Sequence, residues 1–449
     1  MGAASCRQGL GKNSRVIFLE VKDSVTPYSD VMSNIGVNSG DETGALGFGG
    51  STNLWHNGLI EPSDSVFEDA WPFPKSELDV FYKKAFKFLF PLKSYKLSRK
   101  VSNLRARLVR YGLPEYRLKN PLIYPSLRLN SWKDMISIYK DDFLLGDIES
   151  IDQGEKGHCE GIKFQCLDGK LLLIKAKYFI LAAGGVFSPL LIDKYINKIN
   201  TGSFGRGYND HPSGYVAKLK LNRPFYKLWN FPISGGWIRL PLVYKIQGLE
   251  VSFQLRPSYQ HTKKGDTKAF KSVISKIRNQ PFNFRLYLTM LRQFDDLLEI
   301  ASLKLRLNLP TKFYHVLMVA EQTPSDKNIF FFGKEKLQRK WLISSNDFLI
   351  YRQAIDQLII DLDFVGESVF LIDGWEEQLF SSSHHSGSLS MGCDNESLVD
   401  DNCRLHGMKN LYISDASIIP STGFANTGLT IAALGLRLGE YLKRKLGEA

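Results

Sequence analysis

Two histidines and an asparagine near the carboxyl end carry the residue types most able to do chemistry. His384 and His385 stand side by side in a Ser/Gly-rich loop, Ser381–Ser390. An imidazole both takes and returns a proton near neutral pH, so either ring could serve as an acid–base group. The same pair also reads as ordinary hydrogen-bonded structural histidines. Asn426 opens the stretch Thr427–Lys443, where Leu429, Ala432, Ala433, Leu436 and Leu438 recur at helical spacing and Lys443 and Arg444 suit the carboxyl end. Asn426 therefore either caps a helix and nothing more, or presents that helix's positive end to a cofactor or substrate anion. Between these groups lies the apolar run Leu411, Tyr412 and Ile413. It is bounded by Gly407, Lys409 and Asn410 on one side and by Ser414 and Asp415 on the other. That is the pattern of a buried parallel strand entering a loop at its carboxyl end, where open α/β sheets hold their ligands.

Other segments must position this chemistry. Gly2–Glu20, GAASCRQGLGKNSRVIFLE, reads as a small-residue helix, a turn and the strand Val16–Leu19 closed by Glu20. In a dinucleotide-binding unit a glycine turn delivers the pyrophosphate to a helix amino terminus and an acid further on takes the ribose hydroxyls. Gly2 fits the third glycine of that turn and Glu20 the acid, 18 positions on. By this reading the first strand and two leading glycines are absent, so the chain is expected to be truncated at its amino end. Taken alone, the segment is equally an ordinary helix-turn-strand opening. Gly44, Gly47, Gly49 and Gly50 lie close together and let backbone amides approach a phosphate, with Ser51, Thr52 and Asn53 as hydroxyl and amide donors. Tyr178–Pro189 is an apolar strand broken at Gly184 and Gly185 and followed by a helix, so the strand's end is kept small to admit something.

The carboxyl-terminal residues resemble the signature of the glucose-methanol-choline (GMC) oxidoreductases. The match runs through His384, Gly387, Ser388, Met391 and Gly392, then Arg404, His406, Gly407, Asn410, Leu411, Tyr412, Asp415, Ala416 and Ser417, then Asn426, Thr430 and Ile431. Departures are Ser388 for the usual Thr, the second histidine at 385, and Thr427 where the family often has Pro. Gly49, Gly50, Ser51 and Thr52, followed by Asn57, Gly58 and Leu59, resemble the family's Gly-Gly-Ser-Ser and Asn-Gly-Met loops. Gly205, Arg206, Asp210, His211 and Pro212 match a further stretch whose histidine is taken as structural, and a "WPF" sequence at Trp71–Phe73 introduces a packing helix seen in the family.

The resemblance implies an α/β protein: a Rossmann-like FAD-binding domain from the discontinuous segments 1–90, 150–214 and 374–449, and an α+β substrate domain on an antiparallel sheet from 91–149 and 215–373. It implies FAD, held non-covalently and contacted by Gly2, Glu20, Gly49, Gly50, Ser51, Thr52, Trp55, Asn57, Gly58, Ala183, Gly184, Asp415, Ala416 and Thr427, with Trp55 and His56 able to stack on or bond the isoalloxazine. It implies oxidation of an alcohol or sugar CH–OH group, with His384 or His385 as the base and Asn426 on the same oxygen. The electron acceptor is left open. Gln322, Pro324 and Asn328 resemble a substrate-domain strand of sugar-oxidising relatives. The contrasting reading, favoured by the absent glycine turn, is a non-catalytic remnant that binds partners or sugars without flavin.

Composition narrows the class. The 449 residues exceed one ordinary core, so two lobes are expected. Hydrophobic residues at 43% and charged at 23% fit a globular protein. Five cysteines without a Cys-x-x-Cys pair indicate neither a zinc site nor a disulfide framework, and point to a reducing compartment, the cytoplasm. No apolar run is long enough to span a bilayer. The net charge of +12 allows attraction to anionic surfaces, but no base-stacking motif accompanies it, so nucleic acid is excluded as a partner. Ala269–Leu307 reads as helical and basic, and Lys263, Lys264, Lys268, Lys271, Lys276 and Arg278 read mostly as a solvated face. Ser76 is expected to cap the helix after Pro74, with Leu78, Phe81, Ala85, Phe88 and Leu89 on its core face. Gly235–Tyr244 and Leu249–Leu255 alternate like strands.

Overall fold

The computed structural model describes residues 1–21, 26–28, 32–36, 44–54, 58–90, 97–125, 142–196, 205–225, 231–233, 235–258, 283–285, 287–288, 298, 310–332, 336–393 and 397–447. The short run Leu411–Ile413 is a buried strand, β20, and pairs in parallel with β9, Phe179–Leu181, in the register Leu411 to Phe179. Both strands deliver their carboxyl ends to one place, Ala183–Gly184 and Ser414–Asp415. A second parallel pair joins β1, Ile17–Glu20, to β6, Asp142–Gln153, which continues antiparallel into β7, Cys159–Cys166, and β8, Leu171–Ile174. These pairs lie in separate sheets. β6 runs unbroken across position 150.

The larger sheet is antiparallel throughout, in the order β13, β14, β15, β10, β18, with β19 also on β10. These strands are Leu242–Ile246, Leu249–Pro257, Thr311–Ala320, Pro212–Phe225, Gly366–Leu371 and Phe380–Ser381. Along β15 the side chains of Tyr314, Val316, Met318 and Ala320 are buried and those between them are not, the two-residue period of a half-covered sheet. Its covered face shares a core with Ile350, Tyr351, Ala354, Ile355, Leu358 and Leu362 of the helix Ser345–Leu362. Each such aliphatic burial is worth roughly 1.5–3 kcal/mol. Three small sheets complete the strands: β5 with β11 and β12 (Leu122–Pro125, Phe231–Ile233, Gly236–Arg239), β3 with β16 and β17 (Met32–Gly36, Ile329–Phe332, Leu337–Trp341), and β2 with β4 (Thr26–Pro27, Ala45–Leu46).

The described helices are α1, Gly2–Leu10; α2, Asp64–Ala70; α3, Lys75–Leu89; α4, Leu97–Tyr111; α5, Gly184–Tyr195; α6, Ser345–Leu362; and α7, Thr427–Gly447. α1 lies on α7 through small residues. A Cβ on Gly439 would sit 2.2 Å from the Cys6 carbonyl oxygen, and one on Gly9 would sit 2.5 Å from that of Leu436. Only glycine permits so close a crossing, and it fixes the amino end of α1 against Ser414 at the end of β20.

Several expectations are corrected. Ser76 does not cap α3: the helix begins at Lys75 after Pro74, which makes no side-chain cap bond, because proline's fixed φ is already suited to a helix entrance. Tyr82 joins Leu78, Ala85 and Leu89 on the fully buried face, with Phe81 and Phe88 partly buried against the same core. Gly235–Tyr244 is two strands, β12 and β13, rather than one run. β1 starts one residue later than Val16, and α7 continues to Gly447. The helical stretch and basic face placed at Ala269–Leu307 fall almost entirely outside the described residues.

Candidate functional site

Three histidines converge on one buried carboxylate, two through their backbone amides and one through its ring. Asp210, at the entrance to β10, is 1% exposed and accepts the backbone N–H of His211 at 2.7 Å and that of His384 at 2.9 Å through Oδ1. Its Oδ2 accepts the Ser381 hydroxyl and lies 3.5 Å from His385 Nε2. Burial works against this charge. His385, His384, the Ser381 hydroxyl and Arg339 outweigh it and hold the carboxyl below its ordinary range.

The side chains then form a line. Asn426 Nδ2 lies 3.2 Å from His384 Nε2, His384 Nδ1 lies 3.0 Å from His211 Nδ1, and His211 Nε2 lies 3.2 Å from Thr422 Oγ1. With the Asn426 amide nitrogen donating to Nε2, His384 carries its proton on Nδ1 and donates to His211, which donates from Nε2 to Thr422. Every link then has one donor and one acceptor. The lone pair of His384 Nε2 is left on the Asn426 side.

Surroundings separate the three rings. His385 is 6% exposed, with Nε2 2.7 Å from Arg339 Nη1, and is walled by Tyr208 and Phe330. Burial, then the Arg339 and His384 charges, bring its pKa down to about 4 in spite of Asp210. His211 falls to about 3, first through burial and then through His384. Both are neutral near pH 7. His384 alone of the three is partly exposed, as is Asn426.

The glycine-rich segments adjoin this line. A Cβ on Gly58 would lie 3.4 Å from Asn426 Nδ2. Gly49 takes the left-handed conformation, φ 82°, and starts a short 3-10 turn over Gly50, Ser51, Thr52 and Asn53. Thr52 Oγ1 lies 3.3 Å from the Met1 amino group at the head of α1, and the charges of Asp415 and Glu20 both act on that group. Gly184 N donates to Asp415 Oδ2 at 2.9 Å, and the Ser188 and Ser417 hydroxyls donate to the same carboxylate. The Ser414 hydroxyl is buried there without a hydrogen-bond partner. The head of α1 thus has the Thr52 and Ser414 hydroxyls and the acid Glu20 near it, polar groups of the kind that hold a dinucleotide's phosphates and ribose.

Residues 272–435 match the family described as GMC oxidoreductase. That stretch, less than half of the chain, is what resembles the family. Its fold is also that of solved oxidases. A pyridoxine 4-oxidase from Mesorbium loti is similar over 100% of this chain and 97% of its own, at 14% identity and a TM-score of 0.60. A formate oxidase is similar over 99% and 96%, at 15% identity and 0.56. A variant of the Aspergillus oryzae RIB40 formate oxidase, from a structure concerned with FAD modification, gives 14% and 0.58 over the same shares. No curated protein sequence matches the chain.

His384 and Asn426, both inside the matched stretch, stand in direct contact, and Gly58, Thr427 and Ala416 lie at the same end of α7 and β20. Gly2, Glu20, Thr52, Gly184 and Asp415 cluster around the head of α1. His385 sits apart from Asn426, turned into the protein toward Arg339 and Asp210. Trp55, His56 and Asn57 lie outside the described residues. Sequence reading gives Asp210 a place in a matched stretch but no role, and it does not single out Arg339 or Thr422. The Asp-His-Pro stretch flagged the first, but nothing local marks Arg339 in the strand β17 or Thr422 in a loop. Among the described residues there is no metal-holding cluster, and no helix is long and apolar enough to cross a membrane.

Proposed function

We propose that the chain is an FAD-dependent oxidoreductase acting on the CH–OH group of an alcohol or sugar, with His384 as the base. The observation that carries this reading is the 3.2 Å pairing of His384 Nε2 with Asn426 Nδ2 at the amino end of α7, beside Gly58. FAD is the cofactor that the family domain implies, and the donor set around α1 fits it. Gly2, Gly49, Gly50, Ser51 and Thr52 would receive the pyrophosphate, Glu20 the adenosine ribose, and Ala183, Gly184, Ala416 and Thr427 the remaining edge, with Trp55 and Asn57 proposed on the isoalloxazine side. When bound, FAD supplies the hydride acceptor.

The protein's own part follows from the hydrogen-bonded line. A substrate hydroxyl that takes the place of the Asn426 amide on His384 Nε2 gives its proton to that nitrogen, while the displaced amide donates to the same oxygen. The proton stays on His384. His211 behind it is neutral, with a pKa near 3, and cannot take a positive charge at moderate cost. The imidazolium so formed lies near the buried Asp210 carboxylate, whose Oδ1 already fixes the His384 backbone. The amino end of α7, with no acid in its first turn, favours negative charge developing in front of it. His385 supports the loop from behind.

We read the flavin lobe as the segments 1–90, 150–214 and 374–449 and the rest as the substrate lobe. The protein belongs in a reducing compartment such as the cytoplasm, since all five cysteines are unpaired and three are buried. The test is anaerobic reduction of the FAD-loaded protein by a panel of alcohols and sugars. His384→Ala is expected to slow flavin bleaching by on the order of a hundredfold while flavin stays bound. Equal rates in the variant overturn the assignment, and a protein that stays colourless with added FAD supports the binding-only alternative.

A further inference from the structure

The loop that leads into Asn426 rests on two carboxyls that the mechanism does not use, Glu250 buried and Glu321 half-buried. Glu321, just past β15, is held on the backbone of Glu250, in β14: the Glu321 amide donates to the Glu250 carbonyl at 2.8 Å, and the Glu250 amide donates to the Glu321 carboxylate Oε2 at 2.9 Å. Glu321 Oε1 accepts the Ser421 hydroxyl, whose oxygen in turn accepts the Gly423 amide at 3.0 Å. Glu250 accepts the Ser63 hydroxyl and presses so closely on the loop that a Cβ on Gly423, φ 60°, would lie 2.3 Å from its Oε2. The next residue along from Ser421 is Thr422, the terminus of the line through His211 and His384 to Asn426. The whole loop, Pro420–Ala425, is buried. The loop is also tied by the Phe424 amide, which bonds to Glu250, by Trp71 Nε1 donating to the Ser421 carbonyl at 2.8 Å and by Asn209 Nδ2 donating to the Pro420 carbonyl at 3.3 Å.

We propose that Glu321, backed by Glu250, is a positioning residue: through Ser421 and Gly423 it holds the loop so that Thr422 and Asn426 keep His211 and His384 in line. The inference rests on the reading of His384 as the base. A hydrogen bond to an ionised carboxylate is about twice as strong as one between neutral groups, so the grip on Ser421 tightens when Glu321 is charged. The charged and titratable groups facing the pair are few. They are Lys245 on β13, itself paired with Asp69, then Lys119, and the Tyr351 hydroxyl on α6, which donates to the Glu321 carbonyl with Asp347 nearby. Burial, and next to it the neighbouring Glu250 charge, bring the Glu321 carboxyl up to about 7 against its bonds from Ser421 and the Glu250 amide. Burial raises Glu250 as well. The grip therefore changes within the pH range where the enzyme is expected to work.

Trp71 reports on the loop without any substrate. The indole N–H resonance, assigned by loss in Trp71→Phe, is expected to titrate in the wild-type protein between about pH 5.5 and 8.5, and to stay flat in Glu321→Gln and in Ser421→Ala. In anaerobic flavin reduction, Glu321→Gln is expected to lower kcat by roughly three- to tenfold with little change in KM, and to remove one ionisation from its pH profile. A Trp71 titration unchanged in both variants overturns the proposal, as does an unaltered pH profile. A wild-type protein that no alcohol reduces, while Trp71 titrates and Glu321→Gln abolishes the titration, sinks the assignment of His384 and supports the hold of Glu321 on the loop.

Discussion

At the scale of the residue, three histidines of one type are given different work by what surrounds them. His384 keeps an open edge, whereas His385 and His211 are neutral props whose rings cannot charge without losing burial and neighbours. Asp210 makes this division possible, since it fixes the backbone at both 211 and 384 and is fully enclosed. Asp210→Ala leaves two amides and the Ser381 hydroxyl without their acceptor, and a loss of about 3 kcal/mol in urea unfolding is expected. The props also set acid sensitivity. Their folded pKa values, about 4 for His385 and about 3 for His211, lie below the ordinary 6.5, so the folded state resists their protonation. Their contribution to stability is full above pH 6.5 and is lost as pH falls, through about 4 for His385 and about 3 for His211. The urea midpoint should fall over that window, and His385→Gln should flatten the slope. The sequence marked His384 and Asn426 by the company they keep, but could not rank His384 over His385. Only burial and the distant Arg339 do that, and strand pairing between β17 and β3 is invisible in a local pattern.

At the scale of the element, the helices that aim at the site are placed by what they lack. α7 was legible from its apolar spacing. Its contact with α1 was not, because a close crossing is written in glycines that look like helix breakers when read alone. Gly435 and Gly439 let α1 approach until Cβ atoms at either position would collide with Gly2 or Cys6 backbone. Gly439→Val forces the two helices apart, so the amino end of α1 moves off Ser414 and Thr52. A loss of about 2 kcal/mol or more in thermal or urea unfolding is expected, with weaker FAD retention. The cap of α6 is a simpler case. Ser344 accepts the Asp347 amide at 3.0 Å, and Asp347 returns a bond to the Ser344 amide, so Ser344→Ala should cost about 1 kcal/mol without touching flavin reduction. Ser76 failed as a cap for the matching reason: Pro74 had already started the helix.

At the scale of the whole molecule, the proposed cofactor contacts come from residues far apart in sequence: Gly2 and Glu20, Gly49–Thr52, Gly184, and Asp415–Thr427. No unfolded segment holds more than one of these groups, so FAD should bind the folded chain alone and stabilise it by mass action. At a hundredfold excess over Kd that is about 2.7 kcal/mol. For a cooperative unit of this length it corresponds to a rise of roughly 3 °C in Tm. The net charge of +12 complicates the measurement, because any polyanion can associate with so basic a surface. Salt separates the two effects. At about 0.5 M salt the screening length is only a few ångströms, so non-specific attraction collapses while a seated dinucleotide keeps its hydrogen bonds. The Tm rise should persist at that salt with FAD and vanish with inorganic pyrophosphate at equal concentration. Thr52→Val, which removes a hydroxyl at the head of α1, should lower the FAD-induced rise with little change in the Tm of the protein alone. A rise that pyrophosphate reproduces and salt erases would mean that the gathered amides and hydroxyls form only a generic anion surface, and the FAD reading would fall with it.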